Sequence, residues 1–169
     1  MDFITDLPTS DNHDPIWVVV DRLTKMSHFI PCRKDMHAGQ LGQLFLKEII
    51  RLHGIPADII SDRDTLFTSQ VWKQITEDLH IQRKLSTAFH PQTDGMTERT
   101  NATLEQYLRA YINYQQDNWT TYLPLAEFAY NNGYQETIKT TPFFATYGQN
   151  PESEIRGVMR PDKVIDKDD

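Results

Sequence analysis

Three short apolar segments near the N-terminus predict β-strands. They cover Met1–Pro8 (MDFITDLP), Ile16–Val20 (IWVVV) and Ser27–Pro31 (SHFIP), and the β-branched run of the second is the strongest strand signal in the chain. A polar turn at residues 9–15 separates the first pair, and a tight connection at residues 22–25 separates the second pair. Strands joined so closely predict an antiparallel meander.

Beyond residue 38, apolar residues recur at three- and four-residue spacing, a pattern typical of helices, and short strands lie between them. The predicted elements are a helix over Ala38–His53, a strand over Asp58–Ser61, a helix capped by Ser69, a strand over Ile81–Leu85, a long helix behind a loop that contains Pro91, Asp94 and Gly95, a helix over Asp117–Asn132, and a short helix that starts at Thr141-Pro142.

Each of the longer predicted helices has an apolar face that we expect to point into a core. In chain order, the predicted inward residues are Leu41, Leu44, Phe45, Ile49 and Leu52, then Val71, Trp72, Ile75 and Leu79, then Leu104, Tyr107, Leu108, Tyr111 and Ile112, and finally Trp119, Leu123, Leu125, Phe128 and Ala129.

The order of these elements predicts an α/β fold, a five-stranded mixed sheet flanked by helices. We expect a single core over residues 1–150, followed by a charged tail over residues 151–169 whose composition predicts disorder. The helices over Ala38–His53 and Asp117–Asn132 carry more large apolar residues than one sheet can cover. This excess predicts self-association through helix faces rather than through the sheet edge.

The composition narrows the environment and the partners. The single cysteine, Cys32, cannot form an internal disulfide, which favours a reducing compartment. No apolar run reaches a membrane-spanning length and no signal-peptide pattern is present, so we expect no membrane partner. The net charge of −7, from 24 acidic and 17 basic residues, is unfavourable for a protein that holds nucleic acid unaided. If DNA is the substrate, basic segments outside this chain must supply much of the affinity.

Three acidic residues fall where a sheet and a helix can bring them together. Asp2 lies in the first strand, Asp62 follows the strand over Asp58–Ser61, and Glu98 lies thirty-five residues further on, in the first turn of the long helix. The right-handed crossover rule makes the strands of Asp2 and Asp62 neighbours. Converging carboxylates repel each other unless cations neutralise them, and oxygen ligands suit Mg²⁺ or Mn²⁺. Two such ions about 3.5–4 Å apart can drive an in-line phosphoryl displacement.

Two of these assignments have alternatives. An acid in a first helical turn, such as Glu98, often does no more than cap the helix. Asp21, in the motif VVVDRLT, competes with Asp2 as the first carboxylate, although its strand is expected to lie one position further from Asp62. If Asp2 is the ligand, Asp21 fixes the hairpin through turn hydrogen bonds.

Several motifs occur together in the order of one family. SDRDTLFTS (Ser61–Ser69) and HPQTDGMTER (His90–Arg99) resemble the catalytic core of retroviral and gypsy-type LTR-retrotransposon integrases, and MDFITDLP, VVVDRLTK, LAEFAYNN and TPFFATYG resemble further landmarks of it. The resemblance covers nearly the whole chain up to Pro151. It implies an RNase H-like fold and a polynucleotidyl transferase that uses two Mg²⁺ (or Mn²⁺) ions. By the same resemblance, the catalytic and metal-binding residues are Asp2, Asp62 and Glu98.

The resemblance also implies roles for residues around the triad. Asn101 would support the site by hydrogen bonding, unless it is a solvated helix residue. A loop that would face the DNA end contains Phe89, His90 and Gln92, although His90 can instead brace the turn. The candidate phosphate contacts, each of which is otherwise an ordinary surface charge, are Arg63, Lys84 and Arg99.

The sequence departs from the family pattern at two positions. Asp64 stands where glycine is common, which predicts a turn that Asp tolerates less easily, and it adds a fourth carboxylate near the site. Met96 replaces a residue that is usually polar. Neither departure removes a ligand, so we expect chemical competence.

Together these features predict an integrase core that processes DNA 3′ ends and joins retroelement DNA to target DNA. An RNase H-like nuclease is disfavoured by the acid spacing and the HPQTDG loop. A domesticated, inactive module for DNA binding or dimerisation is disfavoured by the retention of three acids. The chain lacks the zinc-binding N-terminal and basic C-terminal sequences of the family, which favours an isolated core or fragment. The expected partners are DNA and further copies of the chain in a homodimer or larger homo-oligomer, in the nucleus and in a cytoplasmic particle.

Overall fold

The structure is a computed structural model that describes residues 1–86 and 91–152; for residues 91–98 and 111 it describes the backbone alone. Its elements are β1 (Asp2–Ile4), β2 (Ile16–Val20), β3 (Ser27–Pro31), α1 (Ala38–Leu44), a π-helical segment (Phe45–Ile50), α2 (Arg51–His53), β4 (Asp58–Ser61), α3 (Thr65–Thr68), α4 (Gln70–Asp78), β5 (Gln82–Leu85), α5 (Pro91–Tyr111), α6 (Trp119–Asn132) and α7 (Pro142–Tyr147). The predicted limits of β2, β3 and β4 are confirmed.

The five strands form two sheets. β1, β2 and β3 make the predicted antiparallel meander, in which Val18 lies opposite both Asp2 and Phe29. β4 and β5 pair in parallel. A hydrogen bond of 2.8 Å from the amino group of Met1 to the carbonyl oxygen of Ile60 links the start of β1 to β4. The predicted single sheet of five strands is not confirmed, because β1 is only three residues long and meets β4 only at its start.

Helices cover both faces of the antiparallel sheet. From β2, Trp17 packs into one core with residues of α1, the π-helical segment and α4, whereas Ile16 and Val18 pack on the opposite side with residues of α5 and α6. A strand that is buried on both faces has no polar side to present to water. This explains why IWVVV is a continuous apolar run rather than an alternating one.

Most residues predicted to point inward are buried or partly buried, whereas Leu52 and Val71 are exposed and the side chain of Tyr111 lies outside the described residues. Leu52 is 46% exposed because the π-helical segment places extra residues in one turn and rotates the following residues around the axis. In α4, Val71 is 52% exposed, while Thr76 is buried with its hydroxyl donating to the carbonyl oxygen of Trp72 at 3.0 Å. The predicted inward residues that are buried are Leu41, Phe45, Ile49, Trp72, Leu104, Leu108, Trp119 and Leu123.

The start of α5 is also different from the prediction. The helix begins at Pro91 and runs through Gly95, where the sequence predicted a loop. Proline is well tolerated in a first helical turn, and one glycine in a helix costs only about 1 kcal/mol, which a helix of 21 residues can absorb. Residues 87–90 and 153–169, and with them most of the predicted tail, lie outside the described residues.

Helix α6 hydrogen-bonds to the outer backbone of β3. The side-chain amide of Asn131, which is buried, donates to the carbonyl oxygen of Ser27 at 2.8 Å and accepts from its amide nitrogen at 2.9 Å. One turn earlier, a carboxylate oxygen of Glu127 accepts from the amide nitrogen of Phe29 at 2.8 Å. Both side chains thus satisfy backbone groups that β2 does not reach.

Candidate active site

Asp2 and Asp62 lie near each other where the two sheets meet. Asp2 is the first residue of β1, and Asp62 directly follows β4. Burial is the main cause that holds the pKa of Asp62 above its usual range, and the negative charges of Asp2 and Asp64 raise it further, against a hydrogen bond from the backbone of Asp64. The carboxylates therefore form a negatively charged, partly desolvated group.

Short hydrogen bonds orient both carboxylates. The backbone nitrogen of Phe3 donates to Asp2 Oδ1 at 2.9 Å, and Asn101 Nδ2 donates to Asp2 Oδ2 at 2.9 Å. The backbone nitrogen of Asp64 donates to Asp62 Oδ1 at 3.0 Å. Each carboxylate is thus held by a neighbour on its own chain segment, and Asp2 is also held from α5.

The side-chain amide of Asn101 has a hydrogen-bond partner at its nitrogen but none at its oxygen among the described residues. Its Nδ2 contacts Asp2, while its Oδ1 is buried and accepts no hydrogen bond within the described part of the chain. A buried acceptor without a donor is costly, so a residue that carries one has a reason to be there. Asn101 therefore holds the carboxylate of Asp2 in place from α5.

If the chain catalyses the strand transfer that its motifs imply, we expect Asn101→Leu to lower that activity about 10- to 100-fold without lowering the melting temperature. Leucine has a similar volume and removes the orphaned acceptor, so the free energy of unfolding is preserved, but Asp2 loses the donor that orients it. Strand-transfer rates and thermal melting of the two proteins check this. Full activity in a folded Asn101→Leu protein would show that the amide has no positioning role.

Glu98 lies in the third turn of α5, not in the first turn as predicted, because the helix begins at Pro91. The interpretation of Glu98 as a capping residue is therefore wrong. Glu98 precedes Asn101 by three residues, and residues at this spacing share a helix face. Since Asn101 contacts Asp2, the backbone of α5 carries Glu98 on the side of the helix that faces the carboxylates, while its side chain lies outside the described part of the structure.

Asp21, the alternative first carboxylate, is occupied in the turn between β2 and β3. It accepts from the hydroxyl of Thr24 at 2.6 Å and from the backbone nitrogens of Thr24 and Leu23 at 3.2 and 3.3 Å. Burial acts to raise the pKa of Asp21, but these hydrogen bonds outweigh it and lower the pKa. These hydrogen bonds are the ones expected if Asp21 fixes the hairpin between β2 and β3 and is not a metal ligand.

Asp64 is not in a strained turn, contrary to the expectation. Its φ of −54° is ordinary for any residue, and its carboxylate caps α3 by accepting from the backbone nitrogen of Leu66 at 2.8 Å. Aspartate is among the best residues at the start of a helix. The sequence did not predict α3. Because Asp64 is the residue that caps this helix, Asp is suitable here in place of glycine.

The candidate DNA contacts are only partly described. Arg63 and Arg99 are exposed. Lys84 is exposed too, and its ammonium donates to Asp58 at 2.5 Å. Phe89 and His90 lie outside the described residues, and only the backbone of Gln92, within α5, is described.

Sequence reasoning gave no role to Arg22, which shares Asp58 with Lys84. Arg22 donates to the other carboxylate oxygen of Asp58 at 2.7 Å, and its side chain is 52% exposed. It borders an open cleft of about 1000 Å³ that is also lined by Asp2 and Asp62. Its place in the motif VVVDRLTK was the available signal, but only the fold brings this turn to the cleft.

The structure describes the side chains of two of the three predicted metal ligands, Asp2 and Asp62, so their fit to a metal ion can be examined. Among the described residues, no three Asp, Glu, His or Cys side chains are grouped closely enough to hold an ion. Asp2 and Asp62 supply carboxylate oxygens, and the effect of Asp2 on the pKa of Asp62 shows that they share one electrostatic environment. Such an oxygen pair suits Mg²⁺ or Mn²⁺ if a third ligand comes from α5.

Solved structures with the same architecture are integrase cores. The chain superposes on a protein of the simian T-cell lymphotropic virus intasome in complex with the PP2A regulatory subunit B56 gamma, with a TM-score of 0.70, 18% identity, and coverage of 94% of this chain and 59% of that one. It also superposes on the HTLV-2 integrase catalytic core domain in complex with magnesium, with a TM-score of 0.65, 19% identity, and coverage of 84% and 91%. The catalytic core domain of BIV integrase gives a TM-score of 0.62 at 23% identity, with coverage of 84% and 90%.

Among proteins of known sequence, the chain is similar to the Transposon Tf2-3 and Tf2-4 polyproteins of Schizosaccharomyces pombe. Each is 39% identical over 151 residues, which is 89% of this chain but 11% of the polyprotein. The chain therefore spans about a tenth of the length of these relatives. No protein-family model matches it.

These comparisons confirm the predicted resemblance and the fold class. The chain has the RNase H-like, mixed α/β fold of retroviral integrase catalytic cores. It is a homologue of one segment of the Tf2 retrotransposon polyproteins. Within residues 1–86 and 91–152, no helix is both long and apolar enough to cross a membrane.

Proposed function

We propose that this chain is the catalytic core of a retrotransposon integrase, a polynucleotidyl transferase that processes DNA 3′ ends and joins them to target DNA. The observation that carries the proposal is the pair of oriented carboxylates, Asp2 and Asp62, on a retroviral integrase-core fold, faced by the helix that carries Glu98. Homology to a retrotransposon polyprotein supports the same reaction class.

In this proposal, Asp2, Asp62 and Glu98 hold two Mg²⁺ or Mn²⁺ ions. When bound, the ions would activate the attacking water or 3′-hydroxyl and stabilise the departing oxygen. Asn101 keeps Asp2 in position from α5, and the backbone of Asp64 keeps Asp62 in position. The negative charge that this group of carboxylates builds up is what makes it a cation site.

The DNA partners follow from the reaction, and the charge of the chain limits how it holds them. With a net charge of −7, the chain has little non-specific attraction for a phosphate backbone. Arg63 and Arg99 are exposed cations that can meet phosphates beside the carboxylates, whereas Lys84 and Arg22 must first leave Asp58. Much of the affinity for DNA would then come from segments outside this chain, and the reaction would take place in the nucleus.

The test is a strand-transfer assay with labelled oligonucleotide ends, using the chain alone and fused to the segments that flank its counterpart in the Tf2 polyproteins. We expect joined products with Mg²⁺ or Mn²⁺, none with EDTA, and recovery when the ion is restored. A folded protein that only cleaves RNA in RNA–DNA hybrids would favour the nuclease alternative. One that binds DNA and never joins it would favour an inactive module.

We expect the chain to form a dimer at micromolar concentration through its exposed helical surface. Leu46 in the π-helical segment, Leu52 in α2 and Val71 in α4 are 48%, 46% and 52% exposed, and half-exposed apolar residues on helices are candidates for an interface. Sedimentation equilibrium checks this, and Leu46→Asp is expected to give a monomer. Leu23→Asp, at a turn residue that is 81% exposed, is the matched control and is expected to leave the dimer intact. A wild-type monomer at high micromolar concentration would contradict the prediction.

A further inference from the structure

Two histidines from distant elements meet at the wall of the cleft, which residues of the β2–β3 turn also line. His28 lies in β3 and His53 is the last residue of α2. Their Nε2 atoms are 2.7 Å apart, and their rings are tilted by 44° at a centroid separation of 4.9 Å. This contact plays no part in the proposed DNA chemistry.

The hydrogen-bond network fixes which nitrogen carries a proton. Glu127, a carboxylate, can only accept, so His28 Nδ1 at 3.1 Å from Glu127 Oε1 is the donor. A neutral His28 then has a lone pair on Nε2, and His53 Nε2 must donate to it across the 2.7 Å contact. One proton thus lies between two imidazole nitrogens that face each other.

A histidine that donates its second ring nitrogen to a carboxylate is the usual arrangement of a metal ligand. The carboxylate fixes the tautomer and raises the basicity of the coordinating nitrogen. Glu127 is itself fixed, because its other oxygen accepts from the backbone nitrogen of Phe29 at 2.8 Å. His28 is therefore a firmly held imidazole, with a side chain that is only 15% exposed, and its Nε2 is directed at a second imidazole.

We propose that His28 and His53 form a site for a divalent transition-metal ion such as Zn²⁺ or Co²⁺, separate from the carboxylates of Asp2 and Asp62. The ion would take the place of the shared proton, and His53 would then carry its proton on Nδ1. Water from the cleft, which both histidines line, completes the coordination.

The site needs the two rings to move apart and the ring of His53 to turn, because nitrogens that face each other across a hydrogen bond do not yet point at one common atom. Zinc binds imidazole nitrogen at about 2.0–2.1 Å, so two nitrogens in a tetrahedral site are about 3.3 Å apart. The pair has to open by about 0.6 Å from 2.7 Å, which exposed His53 can supply from the end of α2, before Gly54 at φ +81°. Partial burial and the neighbouring His28 lower the pKa of His53, which favours the neutral ring that coordination requires.

The surrounding charges also suit a cation. Asp21 and Glu127 both act on His53 as negative charges that raise its pKa, against the larger effects of burial and His28. Imidazole pairs favour Zn²⁺ and Co²⁺ and discriminate against Mg²⁺, which prefers oxygen ligands. The two kinds of site in this chain would therefore select different ions from one solution.

The test is a Zn²⁺ titration by calorimetry, and a Co²⁺ titration followed by its visible absorption, both in excess Mg²⁺. For wild type we expect one saturable equivalent per chain and a melting temperature that rises with Zn²⁺. His28→Gln and His53→Gln are each expected to weaken binding at least tenfold and to remove the rise in melting temperature. Glu127→Gln is expected to weaken binding about tenfold, because the ligand loses its orienting carboxylate.

Three controls separate this site from other ligands. His80→Asn and His37→Asn remove histidines elsewhere in the chain, and Asp62→Asn removes one of the proposed Mg²⁺ ligands; all three are expected to retain binding. No saturable binding by the wild type would overturn the proposal, and so would binding that survives in a folded His28→Gln, His53→Gln double variant. Neither result bears on strand transfer, so this site and the proposed function can fail separately.

Discussion

Replacing Asp62 with asparagine is expected to lower strand transfer by at least about a thousandfold while leaving the chain folded, because a metal site that stabilises a transferring phosphate supplies much of the rate. Asparagine keeps the shape of the side chain and can still accept from the backbone nitrogen of Asp64 through its carbonyl oxygen. The loss would thus report on charge and not on structure. The measurement is the single-turnover rate of strand transfer for wild type and Asp62→Asn.

The matched control is Asp64→Asn, which removes the same charge two residues away. Asp64 caps α3, and asparagine caps helices equally well, so this variant is expected to stay folded and active. If Asp62→Asn were as active as Asp64→Asn, the proposed site would be wrong.

The Asp62→Asn substitution can also be tested through the way in which the free energy of unfolding depends on pH. The pKa of Asp62 is raised above the ordinary value of 3.8, so the folded state binds this proton more tightly than the unfolded state. Protonated Asp62 therefore contributes to the free energy of unfolding. This contribution is complete below the pKa that Asp62 has in the unfolded chain, and it is lost as the pH rises through the pKa in the folded chain. Without Mg²⁺, Asp62→Asn is therefore expected to be the more stable protein at neutral pH, and the difference is expected to vanish towards pH 3. Thermal melting across this range measures it, and added Mg²⁺ is expected to stabilise the wild type more.

Glu98→Gln is expected to abolish strand transfer to a similar degree, with a change in stability of only a few tenths of a kcal/mol, since Glu and Gln have nearly equal helix propensities. The position of Glu98 inside α5 makes this test sharper, because a residue in the third turn has no capping role to lose. Strand-transfer rate and melting temperature with and without Mg²⁺ are the measurements.

Glu105→Gln provides the control on the same helix. Glu105 lies about two turns further along α5 and pairs with Arg109 at 3.5 Å with its side chain 45% exposed, and exposed pairs of this kind contribute little to stability. Glu105→Gln is expected to keep its activity. An active Glu98→Gln protein would remove the third ligand from the mechanism and with it the two-metal proposal.

Sequence patterns predicted the parts of the fold that depend on near neighbours. The limits of β2 and β3 follow from short β-branched and apolar runs, and the caps at Ser69 and Thr141 depend on residues three positions away. The π-helical segment, the start of α5 and the division into two sheets depend on tertiary packing, for which a single sequence has no local signal.

The candidate site shows the same division. Asp2 and Asp62 could be placed side by side because strand order follows general rules of chain crossover. The cluster of His28, His53 and Glu127 could not be predicted, because His28 is separated from the other two by 25 and 99 positions and each lies in a different element. Only the packing of α2 and α6 against β3 brings them together.

The hold of α6 on β3 has a consequence for solubility. An outer strand with free backbone groups is a template on which other chains can add strands and aggregate. Asn131 occupies both backbone groups of Ser27, and Glu127 occupies the amide nitrogen of Phe29, so these groups are not available to an incoming strand. At the far side of the molecule, β5 instead presents Arg83 and Lys84, whose charges discourage stacking. Loss of Asn131 would accordingly appear first as precipitation of the purified protein, before any change at the carboxylates.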